Sequence, residues 1–372
     1  MKRSKVFTAV TAGVVAALAL AACSSNAPST TSPTPSPTTA GPTSPAVSPT
    51  SPAVGPTSPA TDTGTAAATG GGATGTDIPA PTTASKAYNL AFIQGVTGDN
   101  FYITMQCGIQ TEAARLGVHV TTQGPSKFDP TLQKPVLDSV VQAKPDAILI
   151  APTDTTAMEA PLQQAAQNSK IVLVDTTVND PSFAVSQIAS DNIGGGKAAF
   201  QAIQQAHPAP GKVLVISVDP GISTTDQRAQ GFEDAAKAAG FTDLGVQYSH
   251  NDPATAASLV TAALQKDPDI VGIFAANLFA AEGTATGIQQ AGKKGQITVV
   301  GFDAGPDQVK ALKDGTVQAL VAQQPALIGK YGVDQAVAAL DGGTITPKIQ
   351  TGFSIITPSN VDSSDSLYVA KC

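Results

Sequence analysis

Polar and aromatic side chains gather just beyond short apolar runs in this chain. Asp99-Asn100-Phe101-Tyr102 comes after Asn89-Leu90-Ala91-Phe92-Ile93, and Asp175-Thr176 comes after Ile171-Val172-Leu173-Val174. Asn277 follows Ile273-Phe274-Ala275-Ala276, Asp303 ends Val300-Gly301-Phe302-Asp303, and Gln323-Gln324 follows Ala319-Leu320-Val321-Ala322. Carboxylates and amides accept hydrogen bonds, often two at once, from adjacent hydroxyls. An aromatic ring offers an apolar face to the C–H face of a sugar ring. Such a set suits recognition of a polyol. Asp175 and Asp303 are also placed to cap following helices, and Phe101 and Tyr102 have the character of ordinary core.

The elements that must hold these groups read as alternating strands and helices. The apolar runs are continuous rather than alternating, as in strands buried on both faces of a parallel sheet. Amphipathic stretches such as 225–239 and 253–264 lie between them. Repeated βα alternation predicts a doubly wound α/β architecture, and the number of units predicts two lobes rather than one sheet. In such sheets ligands sit beyond the carboxyl ends of the strands, where the polar residues stand.

The 372 residues are not uniform: 42% are hydrophobic, only 13% are charged, and Gly and Pro number 34 and 28. From residue 24 to residue 84 the chain is nearly all Ser, Thr, Pro, Ala and Gly, with 12 of the prolines and two charges, Asp62 and Asp77. The units GPTSPAV, SPTSPAV and GPTSPAT repeat between Gly41 and Thr61, and two prolines per unit forbid a helix. This predicts a disordered, extended spacer over 23–84, either lifting a domain off a surface or serving as a length-tolerant linker. Residues 85–372 carry 18 basic and 26 acidic groups, a net charge of -8. With pI near 4.9, that balance argues against a nucleic-acid binder that depends on phosphate contacts.

Lys2, Arg3 and Lys5 precede an uncharged run from Val6 to Ala22, and Leu20-Ala21-Ala22-Cys23 closes it. The segment resembles a bacterial lipoprotein signal peptide over 1–22, which implies that Cys23 is acylated and becomes the mature N-terminus. The implied location is the cell membrane, lipid-anchored, on its extracytoplasmic face. An exported chain keeps disulfides, so with Cys23 acylated the remaining Cys107 and Cys372 are expected to pair, the alternative being one buried thiol and one tail thiol.

Six motifs in order carry a second resemblance: Asp99-Asn100-Phe101-Tyr102, Gln187-Ile188-Ala189-Ser190-Asp191-Asn192, Ser223-Thr224-Thr225-Asp226-Gln227-Arg228, Ile273-Phe274-Ala275-Ala276-Asn277, Val300-Gly301-Phe302-Asp303 and Val321-Ala322-Gln323. Residues 88–360 resemble the ribose-binding-like, type I periplasmic sugar-binding proteins that serve ABC importers. The resemblance implies two Rossmann-like lobes joined by three hinge crossings, closing on a ligand. It implies lobes of 85–192 with 324–351 and of 193–323 with 352–372. The implied ligand set is Asp99, Phe101, Tyr102, Asp175, Asp226, Arg228, Asn277, Asp303 and Gln323. Thr176 stands where ribose binders have an arginine, and Asp226 is aligned with another arginine, Arg228 lying two residues on. Asp226 is equally suited to cap a helix, and Arg228 to an outward ion pair. Losing rigid guanidinium forks disfavours ribose and favours another neutral, donor-rich sugar or polyol, or a cationic amino sugar.

The implied partners are a small sugar or polyol, an ABC permease and, through the lipid, the membrane; the chain is expected to be a monomer without a cofactor. The Thr225-Asp226-Gln227 run also resembles autoinducer-2 receptors, and a receptor that senses without transporting fits the same pattern. A transcriptional regulator's effector domain shares the fold but needs a basic helix-turn-helix ahead of it. A carbohydrate-active surface enzyme would need a paired general acid and nucleophile, and none is legible. Gly194-Gly195-Gly196-Lys197 lacks the glycine and hydroxyl that a phosphate loop requires and reads as a closely packed helix start. His119, His207 and His250, with the scattered cysteines, lack metal-ligand spacing.

Overall fold

In the computed structural model, residues 78–372 are described. The signal at 1–22, the acylation site Cys23 and all but the last seven residues of the spacer lie outside the described residues. Those last seven residues run along the folded part. Arg115 donates from Nη2 to Pro81 O at 2.9 Å, and Ala84 N donates to Leu116 O at 3.2 Å.

The chain first lays down β1 (Asn89–Ile93), α1 (Asn100–Leu116), β2 (His119–Gln123), α2 (Pro130–Gln142) and β3 (Ala147–Ile150). It continues through α3 (Glu159–Ala165), β4 (Lys170–Val174), β5 (Ser186–Ser190) and α4 (Asn192–Ala206). Next come β6 (Lys212–Ser217), α5 (Ser223–Ala238), β7 (Thr242–Tyr248), α6 (Pro253–Lys266), β8 (Ile270–Ala275) and α7 (Leu278–Gln290). The last elements are β9 (Thr298–Phe302), α8 (Pro306–Lys313), β10 (Ala319–Ala322), α9 (Pro325–Leu340), β11 (Lys348–Thr351) and β12 (Ser354–Ile356).

Two six-stranded sheets result, ordered β11-β5-β4-β3-β1-β2 and β12-β10-β9-β8-β6-β7. All pairings are parallel except that of β12 with β10. The chain passes between the sheets three times: from β5 to β6, from β10 to α9, which packs on α1 and β4, and from β11 to β12. This is the α/β fold of two parallel-sheet lobes that the strand and helix pattern predicts, with the three crossings that the resemblance implies. The two orders match place for place, so β4 stands in the first sheet where β9 stands in the second.

Central strands such as β3 and β9 are buried along their whole length, which explains their nearly continuous apolar sequence, Thr298 at the start of β9 being the one polar residue. Close helix contact sets the level of the second lobe's side chains. A Cβ at Gly196 would lie 2.0 Å from Arg228 O, and one at Gly231 2.1 Å from Ile193 O, so α4 and α5 meet backbone to backbone. The Gly194-Gly195-Gly196-Lys197 run lies near the start of α4, whose N-cap is Asp191, with Oδ1 accepting from Gly194 N at 3.0 Å.

Candidate functional site

Beyond the first sheet, Asp99 caps α1 by accepting from Phe101 N at 2.8 Å. The cap turns Phe101 and Tyr102 inward, where both are buried and their rings meet edge to face with centroids 5.1 Å apart. Tyr102 donates its hydroxyl to Asp175 Oδ2 at 2.8 Å. Asp175 does not cap a helix. It stands directly after β4 with φ 67°, a left-handed conformation that non-glycine residues adopt at a cost.

The second lobe repeats the device at the end of β9. Asp303 has φ 78°, and its Oδ1 accepts from Gln323 Nε2 at 2.8 Å and from the Tyr368 hydroxyl at 3.0 Å. Gln323 is held in turn by Ser190 Oγ, which donates to its Oε1 at 2.8 Å across the crossing between lobes. Asn277 caps α7 through Oδ1 and donates from Nδ2 to Asn251 Oδ1 at 2.7 Å. Arg228, only 3% exposed, donates from Nε to Asn192 Oδ1 and from Nη1 to Ala276 O, each at 2.9 Å. Its guanidinium lies 3.8 Å from the centroid of the Phe302 ring, a cation–π stack.

These side chains line one cavity, bounded by Asp99, Phe101, Tyr102, Asp175, Arg228, Asn277, Asp303 and Gln323 together with Phe128, Val218, Ile222, Thr224, Thr225 and Asn251. The lobes touch beside it, with Thr155 N donating to Gly221 O at 2.9 Å and Thr177 N to Ser223 Oγ at 3.0 Å. The three aromatic rings of the cavity come from the first lobe. The guanidinium, both asparagines and both threonines come from the second. A ring with one apolar face and a hydroxylated edge matches that division.

Burial dominates the electrostatics. It pushes the Asp99 carboxyl up to about 8, with Asp303 as the next largest influence in the same direction. Asp175 is pushed up to about 6 by burial, against the pull of Arg228 and the Tyr102 hydrogen bond. Asp303 is also raised by burial, opposed by Arg228, Gln323 and Tyr368. Among the described residues three buried side-chain polar atoms have no hydrogen-bond partner, and one of them is a carboxylate oxygen, Asp175 Oδ1. A buried oxygen of that kind costs free energy until a donor reaches it. No group of three or more His, Cys, Asp or Glu side chains among the described residues could hold a metal ion.

Asp226 requires a correction. It is exposed, outside the cavity, and its Oδ2 accepts from Gly221 N at 2.9 Å, tying down the loop ahead of α5. The arginine two residues on is the one that enters the cavity. On a helix, positions two apart are separated by roughly 200°, so the acid and the guanidinium cannot share a face, whereas Thr224, Thr225 and Arg228 can. Of the Thr225-Asp226-Gln227 run, the threonine lines the cavity. Phe128, Asn251 and Tyr368 were not legible as site residues. Asn251 sits in a polar turn with φ 55°, a conformation asparagine tolerates, and nothing in the run marks the turn as facing the cavity. Cys107 and Cys372 are joined in a disulfide between α1 and the C-terminus.

Two parallel-sheet lobes with acids, amides and aromatic rings facing one another across a cavity define a bilobal ligand-trapping protein. The family model for the periplasmic binding protein domain matches residues 90–344. The ribose import binding protein RbsB of Escherichia coli (strain K12) is 30% identical over 268 residues, covering 72% of this chain and 90% of that protein. An ABC transporter solute-binding protein from Agrobacterium vitis, bound with α-D-tagatopyranose, is 44% identical with TM-score 0.74, covering 76% of this chain and 99% of that one. A carbohydrate transporter solute-binding protein from Agrobacterium radiobacter, in complex with D-arabinose, is 28% identical with TM-score 0.72, covering 76% and 97%. The chain belongs to the periplasmic binding protein family, and it is a binding protein rather than an enzyme.

Proposed function

We propose that this chain captures a sugar or polyol between its two lobes, 85–192 with 324–351 and 193–323 with 352–372, and delivers it to an ABC importer. The observation that carries this reading is Asp175, which lines the cavity in a left-handed backbone with a buried, unpartnered Oδ1. A sugar hydroxyl supplies the missing donor, and Tyr102 already holds the other oxygen. The 44% identity to a tagatopyranose-bound receptor supports a hexose-sized neutral ligand. Thr176 argues against ribose, since it donates its hydroxyl to Pro152 O at 2.7 Å and offers no guanidinium fork.

Thermal-shift screening against D-tagatose, D-fucose, D-arabinose, D-allose, D-ribose and amino sugars tests the reading. At least one neutral sugar should raise the melting temperature, with D-ribose weaker than the best ligand. No shift with any of them refutes it. The same proposal holds the receptor at the extracytoplasmic face through acylated Cys23. Palmitate labelling of the intact chain should disappear in Cys23→Ala, and equal labelling of the two removes the anchor.

A further inference from the structure

We infer that the C-terminal tail is part of the ligand site: Tyr368 is a positioning residue for Asp303, and the Cys107–Cys372 disulfide fastens the tail that carries it. The inference rests on the reading of the cavity as a sugar site. Tyr368 does not border the cavity, yet its hydroxyl joins two residues that do. It accepts from Gln323 N at 2.9 Å and donates to Asp303 Oδ1 at 3.0 Å. Because the Gln323 amide occupies an acceptor position, the hydroxyl's own proton is directed at the carboxylate. With Gln323 Nε2 donating to the same oxygen, Oδ1 takes two donors and the plane of the carboxylate is set. Asp303 needs such support, since it stands in a left-handed backbone and is 3% exposed. Tyr368 N also donates to Ala304 O at 3.0 Å, so the tail grips the strained turn by backbone as well as by side chain.

The other side of the tail is fastened to the first lobe. Val369 N donates to Thr104 Oγ1 at 3.0 Å, Asn100 Nδ2 donates to Val369 O at 3.3 Å, and Cys372 is bonded to Cys107. All three anchors lie on α1, the helix whose first turn carries Phe101 and Tyr102 into the cavity. The Tyr368 ring lies 6.0 Å from that of Phe101, centroid to centroid. Within a few residues the tail therefore ties the aromatic side of the cavity to the acid on the opposite side. The covalent link keeps Val369 and Tyr368 in register with α1, and Tyr368 passes that constraint to Asp303.

Three variants of the full chain test this: Tyr368→Phe, the paired Cys107→Ser and Cys372→Ser, and all three together. D-tagatose affinity by calorimetry should fall by roughly tenfold for Tyr368→Phe and measurably for the paired cysteine variant. The triple variant should bind no more weakly than Tyr368→Phe, because groups acting in series do not add. Losses that multiply would overturn the link between disulfide and tyrosine. Amide exchange of the ligand-free protein gives a second, sugar-independent readout. Exchange at Asp303 and Gln323 should quicken in Tyr368→Phe and in the cysteine variant relative to the other central strands. Unchanged exchange at those two amides overturns the positioning role, whatever the affinity. If the wild type binds no sugar while exchange still quickens, the sugar reading fails and the positioning role stands.

Discussion

Asp175 and Asp303 are the same residue of two equivalent sheets: each follows the matched strand β4 or β9, with φ 67° and 78°. The amide of each donates at 2.8 Å to the neighbouring strand, Asp175 to Ile188 O and Asp303 to Val321 O. The turn that aims a carboxylate across the cleft is thus built twice, once per lobe, from the same backbone conformation. The two acids meet at one cavity, where the buried guanidinium of Arg228 acts on both.

Replacing either acid by asparagine separates chemistry from backbone. Asparagine tolerates the left-handed conformation nearly as well as aspartate, so the ligand-free melting temperature of Asp175→Asn and Asp303→Asn should stay close to that of the wild type. Charge-assisted hydrogen bonds are worth about 1.5–3 kcal/mol, so affinity for the best sugar should drop roughly ten- to hundredfold. Calorimetry checks it, and wild-type affinity in both variants would remove the two acids from the ligand set.

Arg228 is not replaceable by lysine. Lysine keeps the charge but cannot stack flat on Phe302 while bonding both Asn192 and Ala276 O. Arg228→Lys should lower stability by about 2 kcal/mol and weaken the sugar about tenfold. Chemical denaturation and calorimetry on the same sample read both. A variant with unchanged stability would mean that the stack and the two hydrogen bonds contribute nothing net.

Much of this arrangement was legible because burial leaves a plain mark. β3 and, after their first residues Lys170 and Thr298, β4 and β9 are apolar runs, since neighbours cover both faces. The acids and amides beyond them stand out by contrast. The edge strands β2 and β7 were not legible, because His119-Val120-Thr121-Thr122-Gln123 and its counterpart are half exposed and mix polar with apolar residues. Phe128 reaches the cavity from the loop after β2, and Tyr368 reaches Asp303 and Gln323 from the tail, so no strand pattern points to either. Asp226 was misplaced for a different reason. Motif alignment ignores helical phase, which alone separates it from Arg228.

Asp226→Ala removes the acceptor for Gly221 N and nothing in the cavity. Sugar affinity should stay within about twofold of wild type, while stability falls by roughly 0.5–1 kcal/mol. A tenfold loss of affinity would restore Asp226 to the ligand set.

Asp99 makes the ligand-free protein respond to pH in a direction opposite to that of a salt-bridged acid. Its carboxyl rises from an ordinary value of 3.8 to about 8 because it is buried near Asp303. Between those limits the folded chain holds a proton that the unfolded chain has released, so stability falls as pH rises. The contribution is full below the unfolded value and is lost as pH passes through the folded one. Asp175, raised to about 6, and Glu282 and Asp334, each raised to about 7, tilt the curve the same way, whereas Glu112, lowered to about 2, acts only in acid. The comparison that isolates Asp99 is therefore wild type against Asp99→Asn, melted without ligand from about pH 5 to about pH 9. Both should lose melting temperature toward the alkaline end, the wild type by more, with the difference between them growing steadily up to about pH 8 and levelling off once Asp99 ionises in the folded chain. Parallel curves would mean that Asp99 ionises at its ordinary value, with the cavity wetter and less repulsive than its burial implies.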